Sequence, residues 1–280
     1  MMRVPSIDEI WEVAEARGAN SEAPHLWEGL VGAWPMQEGG GAQIYDVSQY
    51  RNDGTMVNMA LTSWERQQYG RGLMFDGIDD AVSVPYSRII TPTKQLTLSV
   101  FAAAVLGSLQ HVNKHLINKP YISFSPPYYS YALALRDYPP EGLQRAVIFF
   151  LSPGGIFTYL NVLNVVVYGR VQHYAATYDG SFMRVFVDGS LKDSKAASGD
   201  IPNFYTELLI GKIGIYTSYF NGVISDVRIW DRALPPNDLA QVYADPWAMY
   251  RLRQKVYPAA AAPPPGVKIP WHLYLIASMR

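Results

Sequence analysis

The stretch Gly222-Val-Ile-Ser-Asp-Val-Arg-Ile-Trp-Asp-Arg-Ala-Leu234 decides the fold. Side chains alternate along an extended chain. Val223, Ser225, Val227, Ile229 and Asp231 therefore share one side, and Ile224, Asp226, Arg228, Trp230 and Arg232 the other. A mostly apolar side opposite one with charges and a tryptophan reads as a half-buried strand. Pro235 and Pro236 stop it, and Leu239, Val242 and Tyr243 then recur at helical spacing. Strand, proline stop and short helix make a closing element, and the upstream chain reads as a sheet awaiting it.

Working outward, short strand-like runs occupy residues 29–34, 73–76, 81–84, 95–105, 115–119, 131–136, 145–151, 162–168, 172–179, 182–188 and 207–211. Turn chemistry separates them, as at Asp179-Gly180 and Asp188-Gly189. Many short strands with almost no helix predict an all-β, two-sheet antiparallel sandwich of the jelly-roll kind. No repeat period stands out, which argues against a propeller or solenoid.

Both ends differ from this pattern. Ser6 and Glu9 fit a capping box, and Ile7, Ile10, Trp11 and Ala14 follow at helical spacing, with Arg17-Gly18 as a stop. This helix either packs on the main domain or docks on a partner. After residue 245 come a basic run at 251–255 and the stiff linker Pro258-Ala-Ala-Ala-Ala-Pro-Pro-Pro-Gly266. The apolar segment 267–279 that follows, with Trp271, Leu273 and Leu275, is strand-like and needs a pairing surface. The expected organisation is an N-terminal helical arm (1–26), a sandwich domain (27–245) and a linker with an extended C-terminal arm (246–280). Trp11, Trp271, Leu273 and Leu275 are the expected assembly contacts, with other copies of the chain or with other proteins of the same particle.

A net charge of -1 argues against a nucleic-acid partner, which usually meets a basic face. With no cysteine there is no disulfide framework, thiolate metal site or cysteine nucleophile. No apolar run approaches the ~20 residues of a membrane helix, so no membrane insertion is expected. No basic segment leading into an apolar run marks a classical secretion signal.

Five segments in order resemble a known family: Gly29-Leu-Val-Gly-Ala-Trp-Pro-Met-Gln-Glu38, Tyr45-Asp-Val-Ser48 with Arg51-Asn-Asp-Gly54, Gly72-Leu-Met-Phe-Asp-Gly-Ile-Asp-Asp80, Tyr174-Ala-Ala-Thr-Tyr-Asp-Gly180 with Val185-Phe-Val-Asp-Gly189, and residues 220–234. Together they are similar to laminin-G-like, concanavalin A-type jelly-roll domains. The resemblance implies a domain that binds glycans or proteins and is less often joined to catalytic modules. The region after Tyr243 is similar to tails of such domains in bacteriophage and prophage structural proteins. That implies a virion or cell-exterior assembly.

The family often places a calcium in the loop that here carries Asp46 and Asn52, helped by the closing-strand aspartate, here Asp226. Calcium needs six to eight oxygens; the alternative is that Asp46 and Asn52 simply cap turns. Asp76, Asp79 and Asp80 form a tighter acidic group, read as a turn because Gly77 interrupts the strand. Tyr121, Tyr128, Tyr129, Tyr131 and Tyr138 form a tyrosine-rich stretch that serves as a sugar-stacking platform, a subunit contact or a loop packed on the sheet edge. Catalysis has little support. The paired carboxylates of a glycanase are missing from the strands read here. His25, His111, His115, His173 and His272 sit in no catalytic motif, and His173 reads as a core residue. The leading expectation is a non-enzymatic virion structural or adhesive protein presenting a lectin-like domain. A free carbohydrate-binding module comes next, and a glycan-cleaving enzyme after it.

Overall fold

The computed structural model describes residues 3–61, 63–105, 112–123, 125–138, 144–214 and 218–253. In chain order the elements are α1 (Ile7–Glu15), β1 (Leu30–Trp34), β2 (Gln43–Ile44), β3 (Gly54–Val57), β4 (Trp64–Gln67), β5 (Gly70–Asp76), β6 (Ala81–Val84), β7 (Leu96–Ala104) and β8 (Lys114–Pro120). They continue with β9 (Tyr129–Tyr138), β10 (Gln144–Leu151), β11 (Thr158–Leu163), β12 (Gln172–Tyr178), β13 (Phe182–Val187), β14 (Ser190–Ala196), β15 (Leu208–Ile210), β16 (Asn221–Trp230) and α2 (Pro236–Ala244).

Among the described residues the strands form two eight-stranded antiparallel sheets. The first runs β14-β13-β12-β7-β16-β5-β4, with β1 also on β16; the second runs β11-β10-β9-β8-β15-β6-β3-β2. The architecture is the expected jelly-roll sandwich. The closing strand β16 is central: it pairs with β1, β5 and β7, joining the earliest strand to the latest. Between the sheets lies a continuous apolar core that includes Trp34, Phe75, Val100, Leu133, Phe149, Tyr174 and Ile229.

The alternation read along β16 holds only in part. Ile224 faces the core before Asp226, and Val227 and Ile229 face it afterwards. The register against β7 shifts between Ser225 and Arg228, and Asp226 takes a positive φ of 48°. One extra residue in a strand reverses the side on which every later residue falls. That bulge is why odd-numbered residues point inward after it.

The outer face of the first sheet carries a second apolar layer. Phe101, Ala175, Phe186 and Trp230 meet Ile10 and Ala14 of α1, Leu26 from the short 3-10 turn Pro24–Trp27, Leu239 and Val242 of α2, and Trp247, Met249 and Tyr250. The N-terminal helix is therefore part of the domain. Trp11, expected on an assembly arm, is half-buried, with its ring edge-on to Tyr45 at 6.0 Å and beneath the Arg51 guanidinium at 4.3 Å. Ser6 caps α1 through Glu9 N at 3.2 Å, but only half of the capping box forms. The Glu9 carboxylate turns to Arg3 and to Leu252 N instead. Gly18, at φ +72°, stops the helix; the Trp27 ring lies where a side chain would begin, 1.9 Å from an ideal Cβ.

The expected boundary at residue 245 also moves. Trp247, Met249 and Tyr250 are buried in the second layer. The chain then runs back beside the N-terminal segment: Glu22 N donates to Arg251 O, Arg253 N to Asn20 O, and the Arg251 guanidinium holds Glu22 and Asp245. The linker and the C-terminal arm with Trp271, Leu273 and Leu275 lie outside the described residues.

Candidate functional site

Among the described residues, no helix covers the second sheet. Its outer face is floored by small residues, Ala132, Ala134 and Ala146, and walled by the sheet's own aromatics. Phe150 stacks on His115 (centroids 5.7 Å apart, planes 5°) and on Phe157 (6.0 Å, 16°), and Tyr129 leans on His115 and Phe150 at 5.3 Å each. Tyr159, on the edge strand β11, is 49% exposed and extends the surface into solvent. His115 is fully buried, and among the described residues neither ring nitrogen has a hydrogen-bond partner. Burial pushes its imidazole down to about 3, so it stays neutral.

At the end of β8 this face opens into a cleft of about 330 Å³, lined by Pro120, Tyr121, Ile122, Thr206, Glu207, Leu209 and Gly214. The turn after β8 is fastened by Tyr121 N donating to Tyr128 O at 2.8 Å. Tyr121 packs on Phe204 with centroids 4.5 Å apart. Thr206 Oγ1 donates to Pro120 O at 2.7 Å and joins the two walls. Glu207 accepts from Ser83 Oγ, and buried Lys119 donates to Thr206 O below the cleft. Desolvation pushes the Lys119 ammonium down to about 8, partly countered by Glu207. A pocket of about 10 Å³ adjoins the cleft between Tyr121 and Tyr128–Tyr129 residues, large enough for one water. The Asn118 side chain, buried on the same outer face, leaves its Oδ1 without a partner. The arrangement is an aromatic wall, a carboxylate and backbone-fixed hydroxyl chemistry around one concave space, the usual composition of a small-ligand site.

Of the five tyrosines read from the sequence, Tyr121, Tyr128 and Tyr129 come together here. Tyr131 does not. It is fully buried in the sandwich core and its hydroxyl donates to Ile90 O, so it is unavailable to any ligand. Tyr138 sits at the other end of β9, roughly 30 Å along the strand, where it packs under Arg136 and accepts from Asn161. Sequence reasoning missed Phe204, Thr206, Glu207, Phe150, Phe157 and Tyr159. The alternation of β10 places Phe150 opposite the core residue Phe149, a usable signal; nothing local marks Thr206 or Glu207.

The residues expected to hold calcium do not fit it. Asp46 Oδ1 accepts from Ala33 N and Ser48 N at 2.8 and 2.9 Å. Its Oδ2 accepts from Ser48 Oγ, Asn52 N and Asn52 Nδ2 at 2.8, 2.8 and 3.3 Å. Both oxygens face hydrogen-bond donors, and a cation would have to displace them. Asp226 is bidentate on the fully buried Arg228, which also donates to Pro246 O at 2.5 Å and lies over the Tyr250 ring at 5.0 Å. A guanidinium already fills the place of the cation. Asp76, Asp79 and Asp80 each bring one oxygen within 4.8 Å of the others. Asp76 accepts from Ile78 N and Asp79 N, and Asp80 from Asp76 N, which is the turn read from the sequence.

The histidines carry no catalytic geometry among the described residues. His25 lies 3.8 Å from Asp238, and His173 is buried in the second layer with its Nε2 2.9 Å from Ser99 Oγ. His111 and His272 lie outside the described residues.

This two-sheet fold defines a lectin-like class of protein. A family model described as the concanavalin A-like lectin/glucanases superfamily matches residues 76–240, and the chain belongs to that superfamily. Curated protein sequences give no significant match. Among solved structures, domain 4 of an extracellular arabinanase from Geobacillus stearothermophilus, in complex with arabinotriose, is similar at TM-score 0.56 and 14% identity, over 76% of this chain and 98% of that one. The ligand-binding domain of botulinum neurotoxin serotype D, in complex with N-acetylneuraminic acid, is similar at TM-score 0.59 and 12% identity, over 81% and 52%. The binding domain of Paraclostridial Mosquitocidal Protein 1 is similar at 0.57 and 12%, over 77% and 52%. This chain thus spans about half the length of the toxin binding domains. At such identities the likeness is one of fold.

Proposed function

We propose that this chain is a non-catalytic glycan-binding domain that holds a saccharide in the cleft beside Tyr121, on a virion or comparable exterior assembly. The observation that carries the reading is the cleft itself. Tyr121 backed by Phe204 offers an aromatic face to the C–H face of a pyranose, with Glu207 and the Thr206 backbone in reach of its hydroxyls. Glu207 is the only carboxylate among the described residues that line it. Hydrolysis with either stereochemical outcome needs two. The saccharides bound to the arabinanase domain and the serotype D toxin domain are consistent with a sugar ligand on this fold. The proline linker and apolar tail of the sequence support attachment to a larger assembly.

A glycan array followed by calorimetry tests the reading. A neutral oligosaccharide is expected to bind, with Tyr121→Ala weakening it at least tenfold, a loss of about 1.4 kcal/mol. Chelator is expected to leave affinity unchanged, because Asp46 and Asp226 have no oxygen to offer a cation. A blank array sinks the proposal, and shortening of any bound oligosaccharide sinks its non-catalytic part.

A further inference from the structure

The β4–β5 hairpin at the edge of the first sheet carries an unusual pair. Arg66 and Arg71 are directly opposed across the two strands and so project from the same face. Like charges in that position destabilise a hairpin. Six other arginines, Arg3, Arg170, Arg184, Arg228, Arg232 and Arg251, each hold a carboxylate. Arg66 and Arg71 have no side-chain hydrogen bond or ion pair among the described residues.

Both arginines line one cleft of about 480 Å³, with Ser6, Glu38 and Gln68 among its other walls. Arg71 is held in place. Its backbone N donates to Gln37 Oε1 and its O accepts from Gln37 Nε2. Its side chain lies against Gly39, at φ +72°, where an ideal Cβ would stand 1.6 Å from Nη1. Glu38 Oε1 accepts from Tyr45 N at 2.9 Å, while its buried Oε2 has no partner. Burial pushes the Glu38 carboxyl up. The two arginines against the one glutamate leave the cleft one positive charge in excess when Glu38 is ionised. One carboxylate group placed between the two guanidinium groups balances it, whereas a phosphate dianion at the same place overshoots. Guanidinium forks bind planar carboxylates through paired hydrogen bonds. The exposed Gln68 amide suits a neighbouring hydroxyl.

We propose that the cleft between α1 and the β4–β5 hairpin binds an acidic saccharide, a uronic-acid-type sugar whose carboxylate lies between Arg66 and Arg71. The site is on the first sheet and shares no residue with the Tyr121 cleft on the second, so the two proposals fail separately.

Calorimetry on the full chain with a trigalacturonate, its neutral trigalactose counterpart, a sulfated trisaccharide and inorganic phosphate tests it. Trigalacturonate is expected to bind at least tenfold more tightly than trigalactose or phosphate, less tightly as salt rises, and unchanged in Tyr121→Ala. R66Q/R71Q is expected to lose that binding at least tenfold. Its melting temperature should be equal to or higher than that of the unchanged chain, which shows that the fold survives. R66K/R71K keeps the charge without the fork and is expected to lose several-fold, a second reading if the glutamine variant does not fold. Equal affinity for acidic and neutral sugars, or retention in R66Q/R71Q, overturns the site. Phosphate or the sulfated sugar binding as tightly as trigalacturonate overturns the carboxylate assignment.

Discussion

The two sheets present opposite outer faces. The first is roofed by α1, α2 and the segment through Tyr250, and its polar groups are sealed inside: Arg228 and Asp226 pair in the absence of water, and His173 meets Ser99. The second covers itself with its own rings and ends in an open cleft; unpartnered buried atoms occur on both, at Arg228 Nη1 and His173 Nδ1 on the first and at His115 and Asn118 Oδ1 on the second. The same strand alternation makes both faces. What differs is whether another part of the chain comes to lie on them. A roofed face contributes stability, and an unroofed aromatic face is a surface that a ligand or partner can reach.

The largest effect that would break this contrast is on the roofed side. Asp226→Ala strips a fully buried guanidinium of its counter-charge, and urea denaturation is expected to show a loss of about 3–5 kcal/mol. Combining D226N with R228M is expected to recover much of that, since no buried charge then remains. A small effect of Asp226→Ala would mean that water reaches Arg228 and the roof is not sealed.

The two buried histidines sharpen the comparison, one on each face. Burial holds both near 3 in the fold, against about 6.5 when unfolded. Between those values the unfolded chain binds more protons. Stability is therefore full above about pH 6.5 and falls as pH drops toward 3, by about 1.4 kcal/mol per pH unit per histidine. Thermal melts between pH 7 and 5 are expected to slope accordingly, with His115→Phe and His173→Phe each removing part of the slope. A flat profile would show that the rings are solvated.

Smaller effects follow. Trp11→Ala removes the edge contact with Tyr45 and the cation–π contact with Arg51, and is expected to cost about 1–2 kcal/mol without changing oligomeric mass or glycan affinity. A change of mass in sedimentation would return Trp11 to an assembly role. Tyr121→Ala is expected to shift stability by no more than about 0.5 kcal/mol, as for a surface change, while weakening the sugar. If it unfolds the protein instead, the second sheet's aromatics are core and the contrast collapses.

Much of the fold was legible because its signals are local. The closing strand, the two Asp-Gly turns and the helix cap each lie within a few residues. What escaped depended on contacts distant in the chain. Nothing near Trp247 announces that it packs with Ile10, and nothing near residue 252 announces the return to Asn20 and Ser21. The bulge at Asp226 escaped because a pure alternation looks the same in either phase. The family's calcium position misled for a related reason. Asp46 and Asp226 have the right chemistry, but Ser48, Asn52 and Arg228, all within six residues of their partners, already occupy their oxygens. Tyr131 and Tyr129 show the limit most plainly: two residues apart in one strand, they end on opposite sides of the sheet because the pairing with β8 shifts register at Lys119–Pro120 residues.

The antiparallel tie between residues 20–22 and 251–253 has a mechanical consequence. Both ends of the described domain leave from one corner. Tension applied through flanking chain converges on that corner, where Arg251 grips Glu22 and Asp245. The load is borne by this mooring and the layer beneath it. The second sheet lies on the other side of the sandwich, outside that line of force.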